Sequence, residues 1–559
     1  MSYLPETNKH YYRYFSLLAV VILGVVSILG TGGGDGGVST PPTITTVSPA
    51  QSSDSALVTA LVTAQFSLDM NPVTVEDPIN FTLAANMSVV TASSISYDVG
   101  TRIVTFTPDA DLTSGEQYIA TISSAVEDTS GNNPLSKDYV WSFNIAPTLV
   151  PASLDSNGVF GSNASFTSDV DAAGRYIVFA SAANNLVPNI NTNGQIQIYR
   201  KDTQTGVVQM VSTDSSGLVA ALGGNCETPR ISDDGRYIVF ASQATNFGAT
   251  GSFSQVYRKD MNTNTLTLVS KNASSTPGGN DSFQPDISAN GQYVVFTSKA
   301  SNLASPDNNG ALEDIFFVDM NTPTTVELIS VTGSTQANDA SSNPNVSANG
   351  QFVTFDSIAT NLDISTNGLS QIYRRDRTTP STDLISINNS GTDGGNNNSA
   401  IPDISTNGDL ITFQSTATNL LPSNTNGNRH IFLHDVNGNT TTQVSIVGST
   451  EGNNDSSQAA ISADGNYVAF ESLATNLVTP NSSTISHVFV KNITNGTIEQ
   501  LSVDEPGGAT PTQGNGASGH PAFSSNGRYV SFNSLATNFD INDTNGVNDI
   551  YRAYNASLP

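Results

Sequence analysis

The chain has 559 residues, carries 20 Lys and Arg against 48 Asp and Glu for a formal net charge of −28, and is only 12% charged. Its length predicts more than one domain. The acidity, with no basic stripe, excludes a nucleic-acid partner, because a phosphate backbone is met by clustered Lys and Arg.

In chain order, Lys9, His10 and Arg13 come first, followed by the apolar run FSLLAVVILGVVSILG at 15–30. The run falls short of the roughly 20 residues that span a bilayer. A basic start, a short apolar core and small residues after it predict an export signal, or an N-terminal anchor if uncleaved, over 1–30. Residues 31–41, with TGGGDGG, read as a flexible tether. The expected location is outside the cytoplasm: periplasm, outer cell envelope or extracellular space. Membrane contact is expected only through the first segment.

Residues 42–147 alternate β-rich runs with turns, as a sandwich of about 100 residues does. The stretches FSLDM (66–70), TFTPDADLTSGEQYIATI (105–122), EDTSGN (127–132) and WSF (141–143) resemble the SbsA type of bacterial Ig-like domain. The resemblance implies a spacer on an exported protein. The start, PAQSSDSALV, lacks the early Gly of that family. Trp141, the only Trp, is expected in the sandwich core.

Residues 148–559 repeat themselves. A turn glycine recurs at Gly174, Gly235, Gly291, Gly350, Gly408, Gly465 and Gly527, at intervals of 56 to 62 residues. Each opens a phrase such as GNYVAFESLATNL, with Phe at one fixed place from Phe179 to Phe532. Asp-Gly or Asn-Gly between apolar runs favours a tight hairpin turn, because Gly accepts positive φ. The following run has period two and is apolar on both faces: Val468 and Phe470 point one way, Tyr467 and Ala469 the other. Strands of the IYRKD and LTLVS kind follow, giving four short strands per repeat. Such sheets cannot bury both faces alone and must stack. The seventh copy ends at IYRAYNASLP without its last strand, whereas TLVPAS (148–153) stands unclaimed before the first copy. The expected architecture is therefore all-β: an Ig-like β-sandwich followed by a seven-bladed β-propeller, closed by an N-terminal strand.

The S-x-D/N-G-x-Y-V-x-F-x-S unit with its I-Y/F-x-x-D strand resembles the WD-like repeat of TolB-type propellers. The resemblance implies fold more than function: such propellers serve as binding partners, as peptidase gates and as polysaccharide lyases. No G-x-S-x-G elbow, H-E-x-x-H pair, phosphate loop or attached hydrolase domain stands in the sequence. His430 and His487, at one repeat position that elsewhere holds Gln or Asp, are expected on a solvated rim. Cys226, the only cysteine, excludes an intrachain disulfide and is expected to be a small packed residue.

The loop between the first two strands of each blade, the repeated phrase and the IYRKD-type strand, carries oxygen side chains before a Gly. Asp363, Ser365 and Asn367 precede Gly368, and Asp543 and Asn545 precede Gly546, with Asp549 following. This rhythm fits calcium loops; it equally fits local turn hydrogen bonds. Calcium is the one cofactor the sequence suggests. The functional expectation is a non-enzymatic, exported envelope or surface protein, its spacer presenting a propeller to a protein or glycan ligand. A polysaccharide-active propeller enzyme and a structural surface-layer component are the alternatives.

Overall fold

A computed structural model describes residues 40–555, apart from 54–55, 57–59, 86–87, 111, 113–115, 132, 146–148, 193, 218–219, 250, 305–306, 364–367, 424, 480–483 and 505–511. The expected export segment and most of the tether lie outside the described residues. Among the described residues no helix is long and apolar enough to cross a membrane.

The N-terminal part is an Ig-like sandwich. One sheet runs Ile44–Ser48, Val62–Phe66, Ile103–Pro108, Ala92–Asp98; the other runs Ser88–Val90, Phe81–Ala85, Gln117–Ile122, Tyr139–Asn144. Alternation decides the facing: Val62, Ala64 and Phe66 are buried, and the residues between them are less so. Phe81 and Phe106 meet edge to face across the sheets at 5.4 Å, and Trp141, 1% exposed, lies 6.0 Å from the Phe81 ring. The lone Trp is core, as its setting in WSF predicts.

From residue 149 on, seven four-stranded antiparallel sheets of the propeller-blade type are described. Their first strands are Ser165–Val170, Cys226–Ile231, Ser282–Ile287, Ser341–Val346, Ser399–Ile404, Ser456–Ile461 and Ser518–Phe523. The repeated phrase forms the second strand, and its two faces enter different cores. Val468 and Phe470 pack with Ile431 and Phe489; Tyr467 and Ala469 pack with Val530 and Tyr551. Apolar residues on both faces thus serve a sheet covered on both sides.

The turn glycines do more than turn. Gly291 has φ +71°, and a Cβ there would lie 2.2 Å from the Tyr237 ring of the preceding sheet. The same approach joins Gly235 to Tyr176, Gly350 to Tyr293 and Gly408 to Phe352. The Arg of the IYRKD strand stacks on the same ring. Arg258 lies 4.4 Å from the Tyr237 centroid and donates to the Gly291 carbonyl at 2.7 Å. Asn of the A-T-N-L tail is a clamp as well: Asn302 accepts from Gly279 N and donates to Pro277 O, pinning the loop that leads into its own sheet.

The fourth strand of the seventh sheet is Leu149–Pro151, paired with Asp549–Tyr554 through Tyr551↔Pro151, Arg552↔Val150 and Ala553↔Leu149. The contacts that join successive sheets recur between the seventh and the first. The Tyr529 ring covers Gly174, Arg552 donates to the Gly174 carbonyl, and Ser165 N donates to Asn548 O at 2.7 Å.

Candidate functional site

Each first strand carries a β-bulge, seen as a register shift such as that between Glu227 and Arg230. In six sheets the bulge puts a non-glycine residue at positive φ: Thr228, Gln284, Asn343, Ile401, Gln458 and His520. For Ile401, β-branched, that conformation is strained. A polar side chain from the preceding sheet holds several of these bulges by capping the backbone N–H. Asp356 accepts from Ile401 N at 3.0 Å, Gln414 from Gln458 N at 3.2 Å and Glu471 from His520 N at 3.2 Å. Bulges re-aim side chains. Here they line a single cavity of about 520 Å³, walled by the first strands of all seven sheets.

Two residues past the bulge, one register position faces this cavity in every sheet. Its occupants are Asp169, Arg230, Asp286, Asn345, Asp403, Ala460 and Ala522. The framework repeats, but this position does not. The Asp side chains also staple sheet to sheet: Asp169 accepts from Ile231 N, Asp286 from Val346 N and Asp403 from Ile461 N, at 2.8–2.9 Å. Arg230 Nε stands 3.7 Å from Asp286 Oδ1 and acts on Asp169 and Asp403 too. One guanidinium therefore serves three carboxyls. Burial outweighs it, pushing Asp286 up to about 7 and Asp403 to about 6, and raising Asp169. Asp233 adds a fourth carboxyl to the lining and takes the Ser525 hydroxyl; His520 stands at the lining of the last sheet. The cavity combines an acidic sector, one cation and an Ala-lined sector.

Sequence reasoning missed this site. The PDIS segment reads as a strand, and the signal, a register position that holds Asp, Arg, Asn or Ala in different copies, shows only when the copies are compared place by place.

The expected solvated rim at His430 and His487 is corrected: both are buried, at 0% and 1% exposure. Gln, Asp and His interchange there because each meets the hydroxyl of the Ser ending the L-I-S strand. Gln255 accepts from Ser270 at 2.7 Å, Asp314 from Ser330 at 2.7 Å, and His430 Nδ1 meets Ser445 at 3.0 Å. Burial lowers the proton affinity of both histidines, that of His487 to about 4, so they are neutral hydrogen-bonding groups. Cys226 is buried against Ser242, its thiol pushed up to about 12 by burial, which makes it inert.

The calcium candidates separate. Asp363 is exposed and accepts from Leu384 N, whereas Ser365 and Asn367 lie outside the described residues. Asp543, Asn545 and Asp549 do come together: Asn545 Nδ2 donates to Asp549 Oδ2 at 2.9 Å, and Tyr551 donates to Asp543 Oδ2 at 3.0 Å. Among the described residues no three His, Cys, Asp or Glu side chains group as metal ligands.

Residues 38–145 match the family of the bacterial Ig-like domain. No curated protein matches the chain. Among solved structures it is similar to TolB from Acinetobacter baumannii, at 15% identity and a TM-score of 0.34, over 74% of this chain and 87% of that one. It is also similar to an oligogalacturonate lyase from Vibrio parahaemolyticus, at 12% identity and a TM-score of 0.44, over 79% and 98%. The β-propeller domain of the Trilobed protease from Pyrococcus furiosus follows, at 11% identity and a TM-score of 0.43, over 71% and 95%.

Proposed function

We propose that this chain is an exported, non-enzymatic binding protein of the cell envelope or surface. The Ig-like domain acts as a spacer, and the seven sheets form one closed seven-bladed propeller that presents the central cavity. One observation carries the reading: one wall position of that cavity holds three Asp, one Arg, one Asn and two Ala while the surrounding framework repeats. An excess of carboxyls over the single Arg230 suits a cationic group, as on a basic segment of a protein partner. Calorimetric titration of the full chain with short Lys- and Arg-containing peptides is expected to show binding that weakens at least about tenfold, roughly 1.4 kcal/mol, in Asp286→Asn. Equal binding of Glu-containing peptides, or no effect of the substitution, would sink the reading.

A second reading, a polysaccharide-active enzyme, is favoured by Asp286 and Asp403. Burial tunes both carboxyls toward neutrality beside Arg230, where general acid–base groups work best. Incubation with neutral and uronic-acid oligosaccharides tests it. New reducing ends or unsaturated products that vanish in Asp286→Asn would replace the binding reading with this one.

A further inference from the structure

Asp543 and Asp549 are 5% and 0% exposed. Asp549 is fully engaged: Ser153 donates to Oδ1 at 2.6 Å and Asn545 to Oδ2 at 2.9 Å. Asp543 is not. Tyr551 donates to its Oδ2 and the Asn545 backbone N–H acts on the carboxyl, but Oδ1 is buried and makes no hydrogen bond. The two carboxylates repel one another, and no Lys, Arg or His among the described residues acts on either.

The sister sheets show how this corner is balanced elsewhere. In the third sheet, Gln336 from the connecting loop donates to Asp314 Oδ2 at 2.8 Å and to Asp307 Oδ1 at 3.1 Å, so one amide bridges two acids. In the fifth, a single acid, Glu451, holds the equivalent loop position 3.8 Å from the neutral His430, whose Nε2 meets Asn426 Oδ1 at 2.9 Å. In the seventh, the equivalent loop residue is Phe160, which offers no donor, and two acids stand opposite it. A buried, unpaired carboxylate is costly. Burial raises both acids, Asp549 to about 6, so either a proton or a bound cation relieves the cost.

We infer that Asp543 and Asp549 form a site for a divalent cation of calcium's type, next to the Gly161 carbonyl, which accepts from Asn545 Nδ2 at 3.1 Å. The unpartnered Asp543 Oδ1 supplies the open ligand position. All the donors are oxygens, which disfavours zinc and copper, and an irregular set with few carboxylates suits calcium better than magnesium. Two carboxylates predict modest affinity, on the order of 10⁻⁴–10⁻³ M. Because Ser153, just past Leu149–Pro151, is bonded to Asp549, the cation would brace the N-terminal strand against the last sheet. This site is separate from the central cavity and does not depend on what that cavity binds.

Thermal unfolding of the full chain in EDTA, in millimolar calcium and in millimolar magnesium tests it, together with terbium emission sensitised by Tyr551. Calcium is expected to raise the midpoint by a few degrees and magnesium by less. The shift should disappear in Asp543→Asn and persist in Asp307→Asn, the third-sheet control. Terbium emission should be displaced by calcium and fall sharply in Tyr551→Phe. The absence of a calcium shift in the unaltered chain, or a shift retained in Asp543→Asn, overturns the site. So does sensitised emission that Tyr551→Phe leaves unchanged, a readout that stands even where Asp543→Asn fails to fold.

Discussion

Gly291 and Gly310 share a left-handed backbone, at φ +71° and +81°, but only Gly291 has a neighbour's ring against it. Gly310→Ala is therefore expected to cost only the left-handed strain, about 1–2 kcal/mol. Gly291→Ala should cost a further 1–3 kcal/mol or so for displacing Tyr237. Urea midpoints of the two variants, taken side by side, check the difference. The turn role of each glycine is local and legible in Asp-Gly or Asn-Gly. The ring contact is made by another sheet, so no window of sequence displays it. The histidines make the same point. His430→Gln is expected to be tolerated, because Gln255 does the same work three sheets away. His430→Leu should cost about 1–3 kcal/mol by stranding the Ser445 hydroxyl and the Asn426 side chain. A polar letter that changes between Gln, Asp and His looks like solvent exposure until its constant partner, the serine, is seen.

Among elements, the period-two run of the second strand announced its two buried faces, and Trp141 announced the sandwich core. Trp141→Ala should cost about 3–5 kcal/mol in the transition of the Ig-like part, followed by loss of its fluorescence signal against a guanidinium-unfolded reference. The first strand was legible only as a strand. Its bulge depends on caps from the preceding sheet, and the cavity-facing chemistry depends on that bulge. The cavity carboxyls give a pH dependence whose sign is fixed. Asp286 and Asp403 hold their protons to about 7 and 6 in the fold and release them lower in the unfolded chain. The folded state thus binds more protons between pH 4 and 7, about three units, and stability falls as pH rises through that window. Asp202, held down to about 2 with help from Arg175, acts only at lower pH. Urea midpoints should therefore drop between pH 5 and pH 8, roughly the physiological range, and Asp286→Asn should flatten the drop. A profile unchanged by that substitution would show that Asp286 titrates normally.

At the scale of the molecule, the last sheet takes its outer strand from the far end of the repeat region. Deleting 148–153 removes Leu149–Pro151 and the Ser153 contact with Asp549. It is expected to lower the thermal midpoint of the repeat region by several degrees, while a shortening of the 31–41 tether leaves it unchanged. Calorimetry on the two truncations decides it.

The sequence by itself determined the all-β class, the Ig-like segment, the repeats with their strand order, and the origin of the seventh sheet's outer strand. The class and the strand order follow from periodicity and turn chemistry, which act between near neighbours in the chain, whereas the Ig-like segment follows from a family resemblance and the outer strand from the count of copies. Only the tertiary structure decided which faces of different sheets meet. It set Tyr237 on Gly291, buried His430 and His487, gathered Asp169, Arg230, Asp286 and Asp403 around one cavity, and left Asp543 Oδ1 without a hydrogen bond. Such contacts join residues some 50 to 400 positions apart, and their energies come from burial and charge in a shared interior, which a linear pattern does not contain.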